Sequence, residues 1–280
     1  MNTSSMRRRL ARIKRSTTRN AKTSASWVLG LARRGKRRVI TTPRVGLRLG
    51  NFMYVWLHAY LSTASGRPTV ALAAPGMLPW LEAFPELREL TVEPDDVRFS
   101  DRREWDRNYL YQRFGRDFDA EELRGFVSNV LAPHITPDLS GTIVVNVRRG
   151  DYYTDFYDKY AFDQVGYIAA AMELIGTGHS VTVVSDDPDW CKEHLDEMLK
   201  QGSRTVRYDD ADPLLNFLTL GRASRLIGTN STFSYWGAYV ANVVHPDATI
   251  IMPRFHGHMP GGTTDAHQLD PRWTVIEGFY

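Results

Sequence analysis

The sequence predicts an α/β protein in which each half of the chain builds a parallel sheet covered by helices on both faces. Three observations carry this expectation. Strand-like and helix-like runs alternate from Val39 onward, the order that parallel sheets need. The strands of the second half, GTIVVNV and HSVTVVSDD, are apolar almost throughout, as strands buried on both faces are. The helices between them carry their own start and stop residues, such as the early Pro188 and the late Gly202 around DWCKEHLDEMLKQ. At 280 residues and 42% hydrophobic, the chain can bury a full core and sits near the size at which chains divide in two. The expected layout is a basic arm over 1–41, a first domain over 42–140 and a second over 141–280. Two Rossmann-like domains would then face each other across a cleft.

The elements follow in order. Residues 1–44 hold 14 Lys or Arg and no Asp or Glu, leaving 21 basic against 32 acidic residues, a balance of −11, in the rest. A Ser/Thr/Arg-rich stretch of this kind lacks the apolar content to fold alone and is read as a disordered arm. Three roles stay open for it: a solubilising extension, attraction to an anionic membrane face, or sequence-independent attraction to nucleic acid phosphates. No recognition module supports specific nucleic acid binding. VITTPRVGLRLGN reads as a strand running into a Gly-containing loop, and FMYVWLHAYLSTASG as a helix with a Ser/Gly stop. PTVALAAP is a strand, and MLPWLEAFPELREL a helix interrupted by Pro79 and Pro85. Residues 94–120, dense in Arg, Asp and aromatics, read as loops and short helices, and DAEELRGFVSNVLAPHI as a helix. In the second half FDQVGYIAAAMELIGTG, PDWCKEHLDEMLKQG, DPLLNFLTLGRAS and STFSYWGAYVANVV are helices. They alternate with the strands GTIVVNV, HSVTVVSDD, RTVRYDD, SRLIGTN and, last, DATIIMP.

Several classes are disfavoured. No run approaches the roughly 18 to 20 apolar residues that span a bilayer, so a cytoplasmic protein is expected, with peripheral contact to the membrane face through the arm. Cys191 is the single cysteine; it can join neither an intramolecular disulfide nor a multi-cysteine metal site, and is expected to pack as a small apolar side chain. His256 and His258 in FHGH lack the helical spacing and companion carboxylate of a metal site and read as surface residues, so no metal is expected. G-x-G-x-x-G opening a helix after a strand, G-x-x-x-x-G-K-[ST] and G-x-S-x-G are all missing, which weakens nicotinamide and P-loop readings.

In parallel sheets ligands bind beyond the carboxyl ends of the strands, where helix N-termini offer free N–H groups. Three such ends carry suggestive residues: NVRRGD (146–151), VVSDDPDW (183–190) and IGTNSTFS (227–234). In the third, Asn230, Ser231 and Thr232 can face an anion at a helix start, or simply cap that helix. Asp186 and Asp187 can hold a ribose or base edge, or cap the helix after them. Arg148 and Arg149 at a strand mouth are either solvated and paired with Asp151, or placed to fork onto a diphosphate on the neighbouring helix.

Four segments in this order are similar to the α-1,2-fucosyltransferases of glycosyltransferase family 11, over about residues 42–280. The family's H-x-R-R-x-D motif resembles Asn146, Arg148, Arg149 and Asp151, with Asn in place of His. SDDPDWCKEHL (185–195), TNSTFSYWGAY (229–239) and the loop GLRLGNFMY (46–54) resemble three further family segments. The resemblance implies a GT-B fold, a GDP-fucose donor, metal-independent transfer with inversion, no cofactor, and a galactose-containing glycan or polysaccharide acceptor attacked through O2. It gives Arg148 the donor pyrophosphate, Asn230, Ser231 and Thr232 the phosphates, and Asp186 a nucleotide contact, with Asn146 and Arg149 also on the donor side. Asn51 lies where the first loop meets the cleft. Asn216 stands where family members often carry Asp.

The expected mechanism is a single displacement in which Arg148 and the Ser231 region hold the leaving GDP more tightly as its charge grows. Asp151 is one candidate for the general base, while Arg149 is expected to be structural and paired with Asp151. Two alternatives remain: a related transferase using another sugar nucleotide or linkage, and a nonenzymatic glycan or membrane-surface binding protein that keeps the fold.

Overall fold

A computed structural model describes residues 37–44, 46–105, 111–178, 180–209, 212–259, 264 and 266–280. The expected arm therefore lies outside the described residues except at its end. There Val39–Thr42 forms strand β1, with Val39 and Ile40 buried. After it come α1 (Leu49–Ala64), β2 (Thr69–Leu72), α2 (Leu78–Ala83), β3 (Thr91–Val92) and β4 (Arg102–Trp105). The four strands form one parallel sheet in the order β3-β2-β1-β4. Strand β4 corrects the expectation of loops and short helices over 94–120. Its Arg102, Arg103 and Glu104 hide the strand pattern because β4 lies at the sheet edge, where charged side chains face water and discourage further pairing.

Helix α3 (Ala120–Phe126) opens on a capping box. Asp119 accepts from the N–H groups of Glu121 and Glu122 while Glu122 reaches back to the Asp119 N–H. The chain continues through a π-helical stretch, Val127–Leu131, and one 3₁₀ turn, Ala132–His134, in the region read as one helix.

The second sheet starts with β5 (Ile143–Val147), followed by the short helices α4 (Gly150–Thr154) and α5 (Tyr157–Tyr160), which the sequence reading omitted. It goes on through α6 (Gln164–Leu174), β6 (Ser180–Ser185), α7 (Pro188–Leu199), β7 (Thr205–Asp209), α8 (Pro213–Gly221) and β8 (Arg225–Ile227). Helix α9 (Thr232–Val244), β9 (Thr249–Pro253) and β10 (Thr274–Ile276) complete it. The strand order is β10-β9-β8-β5-β6-β7, all parallel. The run DATIIMP is thus not the last strand, because β10 adds a three-residue edge too short to show a period. Helices α6, α7, α8 and α9 begin on Asp163, Asp187, Asp212 and Ser231, whose side chains accept backbone N–H groups of the first turn. Each such cap is worth about 1 kcal/mol.

The core has two parts. On one face of the second sheet α6 and α7 pack Tyr167, Ile168, Cys191 and Leu195 over Val145 and Val181. Cys191 behaves as the small apolar side chain expected, and burial pushes its thiol up to about 11. On the other face a second core runs from the first sheet into the second: Tyr54 and Trp56 of α1 and Phe126 of α3 join Phe217 of α8 with Trp236 and Tyr239 of α9. Tyr54 and Trp236 meet edge to face at 5.0 Å, and Phe126 and Trp236 at 5.8 Å. Because α1 has neighbours nearly all round, its sequence is apolar nearly all round. Among the described residues no helix is long and apolar enough to cross a membrane.

Candidate active site

Strand order decides which of the suggestive strand ends meet. Strands β8, β5 and β6 are adjacent, with β5 in the middle, so the three segments ending them open side by side. Arg148 leaves the central strand with its backbone held from two sides. Its N–H donates to Thr229 Oγ1 (3.1 Å), and its carbonyl accepts from Gln164 Nε2 (2.8 Å). Both Thr229 and Gln164 are buried, at 0% and 2% exposure, so the grip is shielded from water. The Arg148 guanidinium then spans two carboxylates, Asp186 Oδ2 through Nη1 (2.5 Å) and Asp151 Oδ1 through Nη2.

Arg149 is placed differently. Its N–H donates to Asp186 Oδ1 (2.8 Å), and its guanidinium lies between the rings of Tyr153 and Trp190, 3.7 and 3.8 Å from their centroids. The nearest carboxylate, Asp187 Oδ2, is 3.8 Å away. The expected Arg149–Asp151 pair is therefore corrected: Asp151 serves Arg148, with Arg48 of the first half 3.6 Å from its other oxygen. Gly150 is required between them, since its φ is +25° and a Cβ there would meet Asp186 Oδ2 at 2.3 Å.

Three of the residues read as donor ligands turn inward. Asn146 is 4% exposed; its amide donates to the Val184 carbonyl (3.0 Å) and its oxygen accepts from Ser234 Oγ (2.6 Å). Asn230 is fully buried and donates to the carbonyls of Tyr160 (2.9 Å) and His256 (3.0 Å). Ser231 caps α9 and bonds Ser234 Oγ at 2.8 Å. These side chains tie β5, α5 and the loop after β9 to the start of α9. Asn216 lies buried in the first turn of α8, and its neighbour Phe217 meets Phe233, in the first turn of α9, at 5.9 Å.

Thr232 lies against the start of α1, while Asn51 of that helix turns to Gln112. Asn51 accepts from Gln112 Nε2 (2.9 Å) in the first turn of α1. Beside it, a Cβ on Gly50 would lie 2.5 Å from the Thr232 carbonyl carbon and 2.7 Å from the Phe233 nitrogen. Two helix N-termini, of α1 and α9, thus converge next to the Arg148 strand end, and each carries partial positive charge.

Sequence reasoning missed Gln164, which shows only as a polar residue after a helix cap, and Gly50 as a contact point. It also misjudged His256. His258 is exposed as expected, but His256 is half-buried, with Nδ1 3.4 Å from the Tyr235 hydroxyl. Burial, reinforced by Lys159 and His267, lowers its pKa to about 4; burial and Arg67 bring His58 to about 4 as well. Between pH 4 and 6.5 the unfolded chain binds more protons at both histidines, so stability falls as pH drops through that window. The expected cost is about 1 to 3 kcal/mol for each. Urea unfolding at pH 7 and pH 5 measures it, and His256→Gln should remove part of the difference. An unchanged difference would contradict the assignment.

Two arginines at the mouth of a central parallel strand thus stand beside two helix N-termini, whose free N–H groups add partial positive charge at the same end of the sheet. Residues 95–255 match glycosyl transferase family 11, and the chain belongs to that family. Human galactoside alpha-(1,2)-fucosyltransferase 1 is 33% identical over 192 residues, covering 61% of this chain and 52% of that protein. The chain spans about half the length of the curated relatives it matches. Among solved structures, POFUT1 in complex with GDP aligns with a TM-score of 0.41 at 13% identity, covering 78% of this chain and 98% of that one. The E. coli heptosyltransferase WaaC with ADP aligns at 0.46 and 11% identity, covering 86% and 93%.

Proposed function

We propose that this protein transfers fucose from GDP-fucose to a glycan hydroxyl, O2 of galactose in our reading, with inversion and without a metal ion. The observation that carries the proposal is Arg148, fixed by its backbone at the mouth of β5 and presenting two N–H faces already matched to anionic oxygens. In the reaction the acceptor oxygen bonds to the fucose anomeric carbon and its hydroxyl proton is released to water. The bond from that carbon to the diphosphate breaks and its electron pair leaves with GDP. Negative charge grows on the diphosphate, so a guanidinium there binds the transition state better than the ground state. Entry of the diphosphate exchanges one carboxylate of Arg148 for a phosphate oxygen, while the other keeps the side chain aimed. We assign that aiming role to Asp151, which Arg48 also holds. The first-turn N–H groups of α9 supply further positive charge, and Asn51 lies on the facing helix.

The division of labour we propose assigns the donor to residues 141–280 and the acceptor to 42–140 together with the segment after Arg149. Calorimetric titration with GDP, GDP-fucose and competing nucleotide sugars, with and without EDTA, tests the donor. Selective guanine-nucleotide binding that survives the chelator is expected. Binding of a different nucleotide, or loss with EDTA, would replace this reading with a transferase of another donor or a metal-assisted one.

We also propose that the basic arm draws the protein to anionic membrane surfaces, each Lys or Arg contributing about 1 kcal/mol near such a surface. Since Val39 and Ile40 are buried in β1, the test is deletion of residues 1–36 and no further. The truncated chain should no longer co-sediment with phosphatidylserine vesicles at low salt. Undiminished co-sedimentation would refute this role.

A further inference from the structure

We infer that the aromatic segment Tyr152–Tyr160, continuing directly from the two arginines, is the ledge on which a sugar ring of the acceptor stacks. This rests on the transfer reading above, and it adds the residues that reading lacks on the acceptor side. Two rows of rings lead outward from the arginines. Tyr152 lies under Arg148, with its ring centroid 5.5 Å from the guanidinium, and stacks on Tyr160 at 4.1 Å; Phe156 meets Tyr160 edge to face at 6.2 Å. Tyr153 lies under Arg149, and Tyr157 meets it edge to face at 5.8 Å. The rows end at the surface, where Phe156 is 51% and Tyr157 60% exposed.

A single exposed apolar side chain is ordinary, but two adjacent aromatic rings held in place at the mouth of a site are not. The segment is fastened at several points. Asn230 bonds the Tyr160 carbonyl, the His258 N–H donates to the Lys159 carbonyl (2.8 Å), and the Tyr153 hydroxyl donates to the Phe162 carbonyl (2.9 Å). Gly257 lets the loop after β9 approach α5, since a Cβ there would meet the Tyr160 ring at 2.8 Å. The rings therefore meet a ligand already ordered, and binding costs little side-chain freedom.

The chemistry of the ledge selects its occupant. An aromatic face carries negative charge density and attracts the weakly positive C–H bonds on the apolar face of a hexopyranose. The exposed carboxylates Asp155 and Asp158, interleaved with the rings, accept hydrogen bonds from the hydroxyls at that sugar's edge. A nucleotide diphosphate would be repelled by the same two carboxylates, which separates this ledge from the donor side.

The experiment uses the full chain and the double variant Phe156→Ala/Tyr157→Ala. Saturation-transfer NMR is run in the presence of GDP against a panel of disaccharides ending in galactose, glucose or N-acetylglucosamine. At least one sugar should receive saturation from the parent chain and lose it in the double variant, while GDP affinity and melting temperature stay unchanged. In a transfer assay the variant's acceptor KM should rise about tenfold, the loss expected of one or two aromatic contacts, with kcat within about twofold. Tyr157→Phe, which keeps the ring, should keep most of the contact. Equal saturation from parent and double variant, or none from the parent to any sugar, overturns the ledge. Failure of GDP to bind the parent instead overturns the donor reading, leaving the sugar signal to decide the ledge by itself.

Discussion

Arg148→Ala is expected to slow fucose transfer by about 10- to 100-fold while the chain remains folded. The magnitude follows from the one guanidinium face that the diphosphate takes, a charge-assisted bond of roughly 1.5 to 3 kcal/mol, at about 1.4 kcal/mol per decade of rate. Folding should survive because the partners of Arg148 keep other contacts: Asp151 retains Arg48 at 3.6 Å and Asp186 retains the Arg149 N–H at 2.8 Å. The carboxylates are also partly exposed, at 24% and 28%, where loss of an ion pair costs about 1 kcal/mol or less. Arg148→Lys keeps the charge but not the fork, and should fall between parent and alanine variant. Single-turnover transfer with radiolabelled donor measures all three. A rate for Arg148→Ala within about threefold of the parent would remove Arg148 from the mechanism, since the smallest single bond invoked is worth about tenfold.

The second large effect is a reversal of sign. Replacing a helical glycine by alanine ordinarily stabilises by about 0.5 to 1 kcal/mol. Gly125 in α3 is such a case, because an added Cβ would meet only the Tyr60 hydroxyl, at 3.8 Å. At Gly50 the same methyl would lie 2.5 Å from the backbone of Thr232, and backbone at a helix start cannot swing aside as a side chain can. Gly50→Ala should therefore lose about 1 to 3 kcal/mol. A melting temperature lower by about 2 to 10 °C is expected. Separating α1 from α9 would also spread the two helix N-termini beside Arg148, so GDP affinity should weaken along with stability. Calorimetry on Gly50→Ala and Gly125→Ala side by side is the measurement. Equal melting temperatures for the two variants would mean that the helix approach is looser than described.

How much of this was legible beforehand differs between elements. Most strands and helices of the second half were readable because β5, β6, β8 and β9 are buried nearly throughout and the longer helices open on Asp or Ser caps, so that period and punctuation agreed. Strand β4 was hidden by its own charges, β10 by its three residues, and α4 and α5 by a run of aromatics whose order comes from packing rather than propensity. The three strand ends of the site were readable for the same reason the sheet was. The direction of the side chains at those ends was not. Whether Asn146 and Asn230 point outward at the strand ends or back into the protein depends on neighbours 26 to 88 residues away in the chain, which no local pattern encodes, whereas Ser231 takes the local capping role open to it. Arg149 illustrates the point: Asp151, two residues along, looked the natural partner, yet two aromatic rings took the guanidinium instead.

The aromatic core shared by the two sheets limits how the protein can breathe. A hinge between the halves would have to part Tyr54 from Trp236 and Trp80 from Phe217, pairs that meet at 5.0 and 5.7 Å with no room for water between the rings. Exposing even one of these large side chains costs a few kcal/mol, a substantial part of the stability of a whole domain. Substrates then come and go by local yielding at the rim of the sheets rather than by a clamshell stroke. The tempo of exchange should follow the fastenings of residues 150–160 and 254–259, making the loops around the arginines the clock of the molecule.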